Sequence, residues 1–375
     1  MRILRGCLAS AAVFCTWVGT VGAQAHWVLP SKPQLELKQY ADSLPLAKPI
    51  GAAMLSDGSV LVADEGLFAV MRFAKDGTPL STFGRRGSGP AEFLSMVWMG
   101  ECERGRFYVR DAAQRRIAVV DTFGRYVRTL ITTFPGKAIP SPYSAKCASS
   151  GLVALVGWPK ADPPPDPGPH RGLAPVAVSR GIGGEQMVLG DFVGPERYRH
   201  ARSDGPRPLG NTLEVAVSSR HVFVGTTDSL AIEIYDQTGR RVGSIRRSGA
   251  GRRITKELRD AFVEQTTEHL YGARRQKQRA GYAALAYPAF APAYVQLLTD
   301  DLDRLWAEEY TFSLDRVKRL WCFGVQGQLL GTLTVPTQFA PLQITKRHVV
   351  GRWTDGDGTE SVRVYEWAGS QVKRD

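Results

Sequence analysis

The amino-acid sequence points to an all-β chain in which one four-stranded antiparallel sheet recurs around a closed ring, a six-bladed β-propeller. Three observations carry this. First, a motif repeats: Gly58 and Gly105, Asp64 and Asp111, and Gly77 and Gly124 all lie 47 residues apart. Second, alternating apolar residues travel with the motif, Val60 and Val62 matching Phe107 and Val109, with turn residues between them, the pattern of half-buried strands joined by hairpins. Third, residues 34–40 alternate strongly yet belong to no repeat unit, while the last unit ends one strand short. Closing the last sheet with this N-terminal strand leaves no open edge.

The units follow in chain order. Residues 57–64 of blade 1 align with 104–111 of blade 2. A third copy, Val222, Val224, Ile232, Ile234, Asp236 and Gly239, lies 115 residues beyond its counterparts in blade 2 and marks blade 4. The excess over one period belongs to blade 3, which begins near Tyr143 and has strands around 152–156 and 174–178. Residues 158–170 interrupt it with six prolines, a composition that predicts a protruding Pro-rich loop. Blade 5 is expected at 294–335 and blade 6 at 342–367. Between blades 4 and 5, the spacing of Ile254, Leu258, Phe262, Gln265 and Leu270 predicts a helix over 254–273, within a helical insertion spanning 252–280 that continues into the basic run 274–279.

These residues resemble the bacterial secreted six-bladed β-propeller family related to NHL repeats, over roughly residues 33–368. The most specific marks are Phe83-Gly84-Arg85-Arg86-Gly87-Ser88-Gly89-Pro90-Ala91-Glu92-Phe93, close to that family's G-x-x-G-x-GPGEF linker, and Pro288-Ala289-Phe290-Ala291-Pro292 followed by Leu305-Trp306. Ala91 stands where the family has glycine. The resemblance implies the fold and secretion, and no particular chemistry.

The start of the chain sets the expected compartment. Arg2 and Arg5 precede an apolar run over residues 8–21 and the small-residue sites Val21-Gly22-Ala23 and Ala23-Gln24-Ala25, which reads as a signal peptide over residues 1–25, cleaved after Ala23 or Ala25. No transmembrane segment is expected in the mature chain, residues 26–375, which is read as one monomeric propeller in the periplasm or outside the cell. Three cysteines remain after removal of Cys7 and Cys15. Cys102 and Cys147 precede equivalent glycines in neighbouring blades and could form a disulfide, the alternative being two free thiols. Cys322 reads as core.

Lys and Arg number 48 against 36 Asp and Glu, a formal charge of +12, which favours an anionic partner. Propeller topology sorts the loops. Hairpins between strands 1–2 and 3–4 lie on one face, and the 2–3 hairpins and blade linkers lie on the other. The linker face receives Arg85, Arg86, Arg246, Arg247, Arg252 and Arg253, candidates to dock a carboxylate or phosphate through guanidinium forks. The plain alternative is a solvated basic face. An exported chain offers little for nucleic acid. Scattered histidines and a single asparagine, Asn211, supply no converging metal set, Asp355-Gly356-Asp357-Gly358 reads as a tight hairpin, and no Gly-x-Ser-x-Gly elbow is present. Asp64 and Asp111, repeating at the blade period, read as turn caps. The expectation is an exported, non-catalytic binding or scaffold module without cofactor, its partner a protein, polysaccharide or anionic small molecule. The second reading is a hydrolase or lyase working in the central funnel, which would bring two or more acid, base or metal-type side chains to the axis.

Overall fold

The computed structural model describes residues 24–40, 44–160, 166–201, 203–248 and 251–367. The body of the expected signal peptide (1–23) and the centre of the Pro-rich stretch (161–165) lie outside the described residues.

The regular structure of the described chain is nearly all strand, with two short helices. It forms, in order, a sheet of Pro49–Met54, Val60–Asp64, Ala69–Phe73 and Pro79–Phe83, then one of Met96–Glu103, Arg106–Asp111, Arg116–Asp121 and Tyr126–Ile131. The third sheet is Ser144–Cys147, Leu152–Val156, Leu173–Arg180 and Met187–Val193. The fourth is Leu213–Val217, His221–Thr226, Leu230–Asp236 and Arg241–Arg247. The fifth holds Tyr294–Thr299, Leu305–Glu309, Val317–Phe323 and Leu329–Pro336, and the sixth Phe339–Ile344, His348–Thr354 and Glu360–Glu366. Within each sheet, consecutive strands pair antiparallel. Leu35–Leu37 supplies the outer strand of the sixth sheet, Leu35, Glu36 and Leu37 opposing Val364, Arg363 and Val362.

The sheets are arranged in a cycle. The first strand of each packs on the first strand of the next, and Phe339–Ile344 of the sixth returns to Pro49–Met54 of the first. The core is correspondingly divided into seams between neighbouring sheets. Val60, Val62, Met71 and Phe73 meet Val350, Val362 and Val364 across one seam, and Phe223, Ile232 and Ile234 meet Tyr294, Leu305 and Phe323 across another. Second strands such as Val60–Asp64 and Leu152–Val156 are buried along their whole length, because both faces are covered by neighbouring sheets.

Three details differ from the sequence reading. The insertion is two helices rather than one, α1 (Lys256–Thr267) and α2 (Gly272–Ala283). Thr255 caps α1, its hydroxyl accepting from the Leu258 N–H, and Gly272, left-handed at φ +56, breaks the helical path before the basic run begins a helix of its own. The exit of the Pro-rich excursion is not purely loop: Gly168–His170 is the edge of a small sheet with Arg197–Arg199 and Asp204–Pro206, where Pro169 owes no ladder hydrogen bond on its free side. Finally, Ala25–Val28 forms a parallel fifth strand on Leu329–Pro336, with Ala25 buried opposite Gly331.

Candidate functional site

A cavity of about 520 Å³ opens between the end of the fourth sheet and one face of the fifth. Strand alternation builds its floor. Arg319 and Trp321 project from the third strand of the fifth sheet, opposite Thr334 and Thr332 of the fourth strand, and His26 stands opposite Thr332 on the parallel strand. Arg247 and Ser248, at the end of the fourth sheet, with Gly251 and Arg252 of the following linker, form the wall. Gln24, Glu309, Tyr310 and Pro292 complete it.

The three guanidinium groups are held differently. Arg319 donates from Nε and Nη2 to Glu309 at 2.6 and 3.2 Å, and that contact raises its proton affinity above that of an ordinary arginine. Arg252 donates from Nη1 to both oxygens of Asp315 at 2.8 and 2.6 Å and lies 4.6 Å from the Phe312 ring centre. Arg247 stacks 5.4 Å from the centre of Trp321 and has no carboxylate partner among the described residues. Burial pushes the Tyr310 hydroxyl up to about 12, so it stays a neutral donor at physiological pH. The lining carries three arginines against one glutamate. It can therefore receive an oxyanion on Arg247 without breaking an internal ion pair.

The six arginines singled out from sequence are not one patch. Arg247 and Arg252 line this cavity. Arg246, next along its strand, points to the opposite face by alternation and is exposed. Arg253 is bridged through its backbone to Phe290 at the base of the helical insertion. Arg85 donates from Nε to Glu92 at 2.7 Å, and Arg86 lies over the Phe68 ring, both in the linker after the first sheet. Sequence reasoning missed Arg319, Trp321, Tyr310 and His26. The spacing Arg319-x-Trp321 signals a shared face, but nothing local says which neighbouring segment that face meets.

The axis is lined by the first strands of all six sheets, around a cavity of about 170 Å³ that includes Trp98, Glu101, Lys146, Thr299 and Gln343. Glu101 is committed to the Gly105 N–H at 2.7 Å and Gln343 to the Met54 N–H at 2.8 Å. Among the described residues, no group of three or more His, Cys, Asp or Glu is placed to hold a metal ion. Beside the axis, Cys102 and Cys147 are bonded across the second and third sheets, with Cα atoms 5.1 Å apart. Cys322 is a buried free thiol, pushed up to about 12 by burial.

No family model and no curated protein matches the chain. Solved structures do. A member of the DUF4221 family from Bacteroides vulgatus superposes with a TM-score of 0.50 at 8% identity, covering 90% of this chain and 97% of its own. A Bacteroides fragilis protein named as an exported protein gives 0.49 at 11% identity, covering 93% and 99%, and regucalcin from Agrobacterium tumefaciens, named as a calcium-binding protein, gives 0.46 at 9%, covering 92% and 97%. At these identities the likeness concerns architecture alone: the chain is similar to propeller-like proteins, and its chemistry rests on its own residues.

Proposed function

We propose that this chain is an exported six-bladed propeller, closed by its N-terminal strand, that acts as a binding module for an anionic group, a carboxylate or phosphate, received in the cavity between the fourth and fifth sheets. The observation that carries this reading is Arg247, a guanidinium 5.4 Å from the centre of the Trp321 ring in the lining of a 520 Å³ cavity, with no acidic partner among the described residues, beside two arginines already fixed by Glu309 and Asp315. Fixed arginines supply field and shape, while the uncommitted one supplies the fork. On the axis, Glu101 and Gln343 each accept a backbone N–H, and Lys146 lines the same cavity.

Export with cleavage after Ala23 fits the same site. Ala25 is buried and paired with Gly331, so cleavage after Ala25 would shorten the parallel strand, whereas cleavage after Ala23 keeps it whole and leaves the new α-amino group on Gln24, a residue of the cavity lining. N-terminal sequencing of the exported protein is expected to begin at Gln24; a start at His26 would refute this part.

The binding test is retention on immobilised heparin at low salt. Arg247→Ser combined with Arg252→Ser is expected to elute at clearly lower salt than the parent, while Arg85→Ser with Arg86→Ser changes elution less. Equal elution of the parent and the cavity variant would overturn the assignment.

A further inference from the structure

The axial cavity holds an amine that nothing else in the fold uses. Lys146 lies on the innermost strand of the third sheet, half-buried, with its ammonium nitrogen 5.6 Å from the centre of the Trp98 ring and lining the channel. Among the described residues, its side-chain amine makes no hydrogen bond and no ion pair. Its surroundings act on its charge in three ways. Desolvation by the channel wall lowers its proton affinity, the Glu214 carboxylate on the adjacent innermost strand raises it, and the Arg110 guanidinium lowers it again, with a net result below the ordinary lysine range. Glu214 is itself raised to about 7, by desolvation first and against the attraction of Lys146. Neighbouring polar atoms are also left open: Arg110 Nε and the Tyr294 hydroxyl are buried without hydrogen-bond partners.

We propose that the channel is a site for small aldehydes or ketones, which condense with the side-chain amine of Lys146 over the face of Trp98. A lysine becomes a nucleophile when it is desolvated or set beside another cation, and Lys146 has both conditions. In the reaction, the lone pair of the neutral amine forms a bond to the carbonyl carbon while the C=O π pair moves to oxygen, a first proton passes from nitrogen to that oxygen to give the carbinolamine, and a second follows as the C–O bond breaks and the oxygen leaves as water, giving an imine with no oxidant or reductant consumed. The cavity, at about 170 Å³, limits the carbonyl compound to a few heavy atoms. This site is separate from the arginine cavity and stands or falls independently of it.

The experiment is reductive trapping of the full-length exported protein with acetaldehyde and cyanoborohydride at pH 8, followed by peptide mapping. Lys146 is expected to be alkylated measurably faster than the exposed Lys75 and Lys137, because a lowered proton affinity raises the fraction of free amine at that pH. A bulky aromatic aldehyde should reverse the preference, labelling the surface lysines and sparing Lys146. Glu214→Gln, which removes the charge that favours the ammonium form, should accelerate labelling of Lys146 several-fold and leave Lys75 and Lys137 unchanged. Labelling of Lys146 no faster than that of the surface lysines, equal labelling by the bulky aldehyde, or indifference to Glu214→Gln would overturn the proposal. The parent protein carries the main comparison, so failure of a variant to fold does not obscure it.

Discussion

Asp64 and Asp111 show how one residue type at a fixed period does structural work. Each is fully buried. Asp64 accepts the N–H groups of Ala47, Lys48 and Leu67, and Asp111 those of Leu94, Ser95 and Gln114, so each carboxylate ties the turn after its own strand to the segment entering the same sheet. Asp64→Ala strands three backbone donors and is expected to cost about 3 kcal/mol in urea denaturation. Ala91 is the opposite case. It sits at φ +59 in the linker where Glu92 accepts from the Gly89 N–H and from Arg85, and Ala91→Gly should raise stability by about 1 kcal/mol by relieving a left-handed alanine. Glu214 gives a pH signature. Its folded value near 7 lies above the ordinary value of about 4.3, so the folded chain holds the extra proton between them, and stability from this group falls as pH rises through that window. Glu214→Gln is therefore expected to gain stability over the parent, on the order of 1 kcal/mol, above about pH 7, and to lose that advantage near about pH 4. A variant that is uniformly more or less stable across that range would contradict the assigned cause.

Among the elements, the short strand Leu35–Leu37 does more than its length suggests. Leu37 is buried in the seam with Val60, Met71 and Phe73 of the first sheet and Val362 and Val364 of the sixth, so the chain's start fastens its first complete sheet to its last. Leu37→Ala should cost about 3 kcal/mol, measured as a shift in the denaturation midpoint. Strand alternation made this element visible in the sequence. Ala25–Val28 was invisible because it overlaps the small-residue pattern of a cleavage site, and its partner strand declares no preference for a fifth neighbour. The insertion divides into two helices for a reason only partly local. Gly272 breaks the path, whereas α2 buries none of its own side chains deeply and is held by the edge contact of Phe262 with Tyr282 and by Arg275 and Arg279 donating to Glu264 of α1. The Cys102–Cys147 link joins the second and third sheets across 45 residues of chain, and replacing both cysteines by serine should lower stability by about 4 kcal/mol on a loop-entropy basis. Unchanged stability in oxidising buffer would contradict the loop-entropy basis, because it would mean that the link hardly restricts the denatured chain.

At the scale of the molecule, the six sheets and their cyclic contacts express a single repeated solution to burying a sheet, each packing on the next. Much of this was readable beforehand because period-two alternation, turn glycines and the 47-residue spacing are local properties that a linear string records in full. The arginine sites were not readable in the same way. Of six basic residues on the expected linker face, two meet in the cavity, because alternation fixes the side of a sheet on which a residue stands but not which neighbour closes over it. Arg319 and Trp321 entered the site only because the fifth sheet turns that face toward the end of the fourth. Lys146 gained an unpartnered place on the axis through the packing of three inner strands from different sheets. The residue string thus decided the strands and the turns, which depend on neighbours in sequence, and marked residues 34–40 as a strand without a sheet of its own. Tertiary packing alone decided which charges are paired, which are desolvated and which are left free to bind, because those depend on side chains brought together from segments tens to hundreds of residues apart.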